Sequence, residues 1–200
     1  MIDAFVKNQD IHTMTASKIY NVTPENVTRE QRGNAKTVNF GIIYGVSAFG
    51  LSQQTDLNRS ESKVMIDNYF INYPGLKKYM SDQIDFARNN GYVETIMGRR
   101  RYLQNINSQN NMLRSGAERN AINAPIQGSA ADIIKIAMIN INSEFKKQSL
   151  KSKMLLQVHD ELVFDVHLSE IDIVKKIIIE NMENVIQMDV PLKVDIGFGD

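Results

Sequence analysis

The sequence predicts an α+β fold that is mostly helical, with helices over its first three quarters and a small antiparallel sheet near its end. Three observations predict this. Residues 10–148 carry repeated helix-start signals followed by helix-period patterning. Two apolar-rich runs, Met154–Val158 and Leu162–Val166, are separated only by His159-Asp160-Glu161, the spacing of a tight hairpin. Leu192, Val194 and Ile196 then alternate with Lys193 and Asp195, the pattern of a half-buried strand.

Taken in order, Asp10 caps a helix towards Tyr20, and Thr23-Pro24-Glu25 reads as a cap followed by proline at the first helical position. Thr28 with Gln31 is a capping box opening a helix to Tyr44, which Gly45 ends. Helices over Ser60–Phe70 and Leu76–Asn89 flank Asn72-Tyr73-Pro74-Gly75. Gly91–Ile96 is extended, and residues 104–112 form a polar loop. The pattern from Met112 to Gln148 is helical with a break expected at Pro125–Gly128. After the hairpin, Ser169 with Asp172 caps a helix rich in Ile and Val.

Composition limits the chemistry. There are 200 residues and no cysteine, so disulfides and thiolate metal sites are excluded. No apolar run reaches the roughly 20 residues that span a bilayer, and the start MIDAFVKNQD lacks a signal pattern. A cytoplasmic location without a membrane partner is the expectation. Lys plus Arg equal Asp plus Glu at 23 each, but the charge is unevenly spread. Residues 1–150 hold 18 cations against 13 carboxylates, and residues 151–200 hold 5 against 10. Gln31–Thr55 and Thr95–Ala117 contain no acid, and the second carries Arg99, Arg100, Arg101 and Arg114. Such local positive fields suit a polyanion; a solvated surface of mixed charge is the alternative.

Arg32, Lys36, Phe40 and Tyr44 lie four residues apart. Four helical steps advance only about 40° around the axis, so all four share one face. Two cations followed by two rings suit a nucleoside triphosphate laid along a helix. The competing reading puts both rings in the core. His159, Asp160 and Glu161 stand where two strands reverse; carboxylates in a held turn can take Mg²⁺, although turn carboxylates are usually just solvated. Arg119, Asn123 and Gln127 also lie four apart, and suit base edges or sugar-phosphate as well as ordinary helix surface. His12 reads, alone, as a surface or capping residue.

Four strings together resemble one family: RGNAKTVNFGIIYG, GYVETIMGRRRY, ERNAINAPIQGSAADIIKIAM and LLQVHDELVF, in that order. They are similar to the family A (DNA polymerase I type) DNA polymerases over nearly the whole chain. The resemblance implies a fingers subdomain over residues 1–117, with the nucleotide-binding helix at about 29–44, and a partial palm over 118–200, with its motif hairpin at about 153–167. It implies template-directed DNA synthesis by two-metal nucleotidyl transfer, with dNTP and primer-template DNA as partners and Mg²⁺ as cofactor. His12, Arg32 and Lys36 would hold the dNTP phosphates, Lys36 also serving as proton donor to pyrophosphate. Phe40 would pack on the sugar and disfavour dideoxy nucleotides, and Tyr44 would lie at the templating base. Arg119, Asn123, Gln127 and His159 would follow the DNA, with Arg99–Arg101 near the template backbone. Asp160 would bind catalytic Mg²⁺ beside the auxiliary Glu161. The family's first carboxylate motif has no match, since Asp3 does not fit it. That motif, the thumb and any exonuclease domain are expected in a missing N-terminal part of the same polymerase, which leaves the fragment alone inactive. A piece of a phage-type single-subunit RNA polymerase and a non-catalytic nucleic-acid-binding module are the alternatives.

Overall fold

The computed structural model of the chain describes residues 2–199. Its elements in order are α1 (Ile2–Val6), α2 (Ile11–Tyr20), a 3₁₀ turn (Pro24–Asn26), α3 (Arg29–Ile43), α4 (Ala48–Ser52), α5 (Arg59–Asn72), α6 (Pro74–Asn90), β1 (Tyr92–Glu94), β2 (Arg100–Tyr102), α7 (Asn111–Lys147), β3 (Lys153–Val158), β4 (Glu161–Asp165), a second 3₁₀ turn (Leu168–Glu170) and α8 (Ile171–Glu183). The architecture is mostly helical, as predicted, with a second small antiparallel sheet, β1–β2, beside the expected hairpin β3–β4. The residues fall into two compact units, Met1–Gly128 and Ser129–Asp200.

Local chemistry sets the helix starts. Asp10 accepts from the amides of His12 and Thr13 to open α2. Thr28 and Gln31 satisfy each other's backbone amides in a capping box, as do Asn58 and Glu61 at α5. The end of α3 is a Schellman motif: the Gly45 amide donates to the Ile42 carbonyl and the Val46 amide to the Gly41 carbonyl, with Gly45 at φ 70. Thr23-Pro24-Glu25 starts only a single 3₁₀ turn, in which the Thr23 side chain makes no capping hydrogen bond among the described residues.

The first unit has two cores. Ile19, Val38, Ile42, Leu51, Met65, Tyr69 and Tyr73 join α2, α3, α4 and α5. Ala87, Val93, Leu103, Ile106, Ala117, Ala121 and Ala124 join α6, β1 and α7. In the second unit, Ile141 and Phe145 of α7 pack with Val174, Ile177 and Ile178 of α8, and Leu162 and Phe164 of β4 lie against them.

Three local expectations are corrected, and a fourth, the extended segment at Gly91–Ile96, is borne out and gains a partner strand. The break at Pro125 does not occur; α7 runs through it. An internal proline costs about 3 kcal/mol, but Ala121, Ile122, Ala124 and Pro125 are buried around the site and Arg99 ties down the Gly128 carbonyl at 3.1 Å, so packing holds the helical path. The extended Gly91–Ile96 segment is one arm of a hairpin, with Tyr92, Val93 and Glu94 opposite Tyr102, Arg101 and Arg100. Ser169 does not cap α8; its hydroxyl meets His167 Nδ1 at 2.9 Å, and α8 starts after Glu170 with no side-chain cap. Residues 192–196 show the alternating burial expected of a strand, but pair with no ladder among the described residues.

Candidate nucleotide and metal sites

The capping box fixes where α3 begins, and its apolar face fixes how it lies. Ala35, Val38 and Ile42 are buried, which turns the opposite stripe to solvent. Arg32 and Lys36 are exposed, and Phe40 and Tyr44 are 52% and 53% exposed. The rings therefore do not belong to the core, and the face carries two cations followed by two open aromatic surfaces.

The start of α2 borders this stripe. Arg32 Nε lies 2.5 Å from Asp10 Oδ2, and the guanidinium draws the Asp10 carboxyl down to about 2. Both side chains are more than a third exposed, and an exposed ion pair contributes only about 0–1 kcal/mol. A more highly charged anion can therefore compete for Arg32. The His12 ring sits 5.7 Å from the Phe40 ring, tilted by 49°. Its Nδ1 lies 3.0 Å from Asn39 Nδ2. Burial first, and then the nearby cations Arg32 and Lys36, hold the His12 pKa below its ordinary value, against the opposing pull of Asp10. The structure thus brings His12, Arg32, Lys36 and Phe40 into one patch, with Tyr44 at its C-terminal end.

The polar row on α7 divides by environment. Arg119 is exposed and its stem lies over Gly45: a Cβ at Gly45 would sit 2.8 Å from Arg119 Cγ. Asn123 is half-buried, with its Oδ1 enclosed and, among the described residues, without a hydrogen-bond partner. Gln127 is exposed and lines a small pocket of about 100 Å³ with Thr95, Arg99, Arg100 and Arg101. The three arginines are already held. Arg99 reaches the Gly128 carbonyl at 3.1 Å, and Arg101 reaches Asn120 Oδ1 at 3.3 Å. Arg100 pairs with Glu94 at 2.8 Å and covers the Tyr92 ring at 4.4 Å. Gly128 permits the close approach, since a Cβ there would meet Thr95 Cγ2 at 2.5 Å.

In the second unit, Val158 pairs with Glu161, leaving His159-Asp160 as a two-residue turn. His159 takes φ 55, the left-handed conformation such tight turns need. Gln157 Nε2 donates to the His159 carbonyl at 2.7 Å. Asp160 and Glu161 are both exposed. Two adjacent carboxylates on an open turn are the oxygen donors that Mg²⁺ takes, and among the described residues no group of three or more His, Asp or Glu side chains gathers. The hairpin is anchored at its other end. Glu170 accepts from the Lys151 and Ser152 amides at 3.0 and 2.9 Å and from the Ser152 hydroxyl at 2.6 Å. These bonds, that of the Lys151 amide first, lower the Glu170 pKa to about 2.

Sequence reasoning missed Asn39 and Glu170, and it named Gly45 and Gly128 without their contacts to Arg119 and Thr95. Asn39 had left a sign: a polar residue on the apolar face of α3, beside Ala35, Val38 and Ile42. The other three depend on contacts between distant segments, which spacing does not reveal.

Comparison with known proteins follows the same lines. The family model for DNA polymerase family A matches residues 1–200. The chain is similar to DNA polymerase I of Bacillus subtilis (strain 168), at 49% identity over 199 residues, covering 100% of this chain and 23% of that protein. DNA polymerase I of Geobacillus stearothermophilus is 47% identical over 199 residues, again covering 100% of this chain and 23% of the relative. The chain thus spans about a quarter of the length of these relatives. Among solved structures, the POL domain of Pol1 from M. smegmatis, in complex with DNA primer-template and dNTP, superposes with a TM-score of 0.93 at 45% identity, over 99% of this chain and 35% of that one. With four motifs in order, an exposed cation-aromatic helix face and a match along its whole length, the chain belongs to DNA polymerase family A.

Proposed function

We propose that this chain is the fingers and later palm of a DNA-directed DNA polymerase that moves a nucleotidyl group from a dNTP to a primer 3′-hydroxyl on a DNA template. The observation that carries this is the α3 face, where Arg32, Lys36, Phe40 and Tyr44 all stand open beside His12. The partners are taken by analogy with the solved Pol1 domain, whose complex holds primer-template and dNTP.

In this reading Arg32, Lys36 and His12 neutralise and orient the triphosphate, and Phe40 packs on the sugar. Charge on the departing pyrophosphate grows as the bond breaks, so a fixed cation there favours the transition state over the ground state. Lys36 gives the departing pyrophosphate a proton. Tyr44, on the Gly45 turn beneath Arg119, lies against the templating base, and Arg119, Asn123, Gln127 and His159 follow the primer-template. Asp160, with Glu161 beside it, holds Mg²⁺. When bound, the metal pair stabilises phosphate charge and activates the attacking hydroxyl.

Two carboxylates on one turn are fewer than a bridged metal pair takes. The isolated chain therefore does not extend a primer. Primer extension by the intact polymerase tests this reading. Asp160→Asn is expected to abolish synthesis without unfolding, because the turn is exposed. Undiminished synthesis by that variant, or Asp160-dependent synthesis by the 200-residue chain alone, would overturn it.

A further inference from the structure

We propose that Asn39 is a positioning residue: it fixes the tautomer of His12, so that the ring presents Nε2–H outward as a donor to the nucleotide phosphates. The proposal rests on the nucleotide reading of α3 and deepens it.

Asn39 is buried at 8% exposure, on the inner side of α3. Its Nδ2 meets two atoms, His12 Nδ1 at 3.0 Å and Thr15 Oγ1 at 3.2 Å. Its Oδ1 takes the Thr15 hydroxyl at 3.2 Å, and that hydroxyl lies 3.4 Å from the Tyr73 hydroxyl. Thr15 is fully buried, and Tyr73 belongs to the core of the unit. The amide is therefore gripped from below by groups that cannot exchange it for water.

An amide nitrogen only donates, so the atom it faces must accept. In a neutral imidazole one nitrogen carries hydrogen and the other a lone pair. With Nδ1 accepting from Asn39, the proton belongs on Nε2. The Phe40 ring, 5.7 Å away, limits how the imidazole can rotate. Burial and the two neighbouring cations favour the neutral ring, so its donor is set by tautomer rather than by charge. A bare Nε2 would turn a lone pair towards phosphate oxygens; a protonated one offers a hydrogen bond.

The intact polymerase labelled with ¹⁵N-histidine tests this, with His12→Ala assigning the signal. The expected spectrum shows His12 Nε2 protonated and Nδ1 bare; a protonated Nδ1, or averaging between the two forms, overturns the proposal. Kinetics add a readout that shape alone would not move. Asn39→Ala is expected to raise KM for dNTP about tenfold, the loss of one hydrogen bond to a charged acceptor, while kcat changes little. The isosteric Asn39→Asp must not rescue it at alkaline pH, because a carboxylate accepts from Nδ1–H and leaves Nε2 bare; recovery by Asp would show a purely steric role and overturn the proposal. If His12→Ala leaves KM for dNTP unchanged, the proposal also falls, but through the nucleotide reading and not through the geometry.

Discussion

Replacing Gly45 by alanine tests whether the end of α3 is shaped to receive Arg119. Gly45 has φ 70, and its Cβ position lies 2.8 Å from Arg119 Cγ and 3.1 Å from Cδ. Two costs follow. A non-glycine residue held in the left-handed region loses about 1–3 kcal/mol. The clash adds a second term, which Arg119 can relieve only by lifting its stem off the turn. Together they predict a loss of about 2–4 kcal/mol, along with weaker primer extension, since Tyr44 precedes the turn. Arg119→Ala removes Cγ and Cδ but leaves the backbone strain. In a double-mutant cycle read by urea unfolding of the intact polymerase, the two changes should therefore couple by about 0.5–3 kcal/mol, with Gly45→Ala costing less in the Arg119→Ala background. A cost below about 0.5 kcal/mol, or additivity of the two changes, would show that Arg119 does not rest on the Gly45 turn.

Two other outcomes follow from the same kind of contact. Gly128→Ala places a Cβ 2.5 Å from Thr95 Cγ2, so it should lower the unfolding midpoint. Thr95→Ser should restore much of it, because the hydroxyl that accepts the Arg99 amide is kept; no recovery would mean that the β1–β2 loop does not rest on α7. Glu170 has its pKa lowered from 4.5 to about 2 in the folded chain. A depressed carboxylate stabilises above its unfolded pKa and loses that contribution as pH falls through its folded pKa. The stability difference between wild type and Glu170→Gln should therefore shrink as pH falls from about 4.5 towards 2; a difference that grows on acidification would contradict the anchor at the hairpin base.

What the sequence made legible was local. Thr28 and Gln31 announce α3 because a capping box is a contact over three residues. The four-residue spacing then puts Arg32, Lys36, Phe40 and Tyr44 on one face, but whether the two rings face core or solvent needs the packing of the other helices. The hairpin at His159-Asp160 is legible because apolar strands flank a short polar turn. The less legible features depend on long-range partners. Arg100 and Arg101 show no strand alternation, yet they form β2 because Glu94 and Tyr92 hold Arg100 across the ladder. Pro125 signals a break, which burial of the surrounding alanines overrides. Leu192, Val194 and Ile196 alternate as predicted, but alternation specifies a buried face and not the strand that would pair with it. Asp10 is visible as a helix cap and not as the partner of Arg32, 22 residues away.

In the proposed function the open face of α3 binds the incoming nucleotide. The most direct measurement is steady-state incorporation of a single dNTP by the intact polymerase, comparing wild type with Lys36→Ala. Lys36 is exposed, so the fold should survive, and loss of a cation from a triphosphate site should cut kcat/KM for dNTP by at least about tenfold while leaving affinity for primer-template unchanged. An unchanged kcat/KM in a folded Lys36→Ala enzyme would contradict the claim.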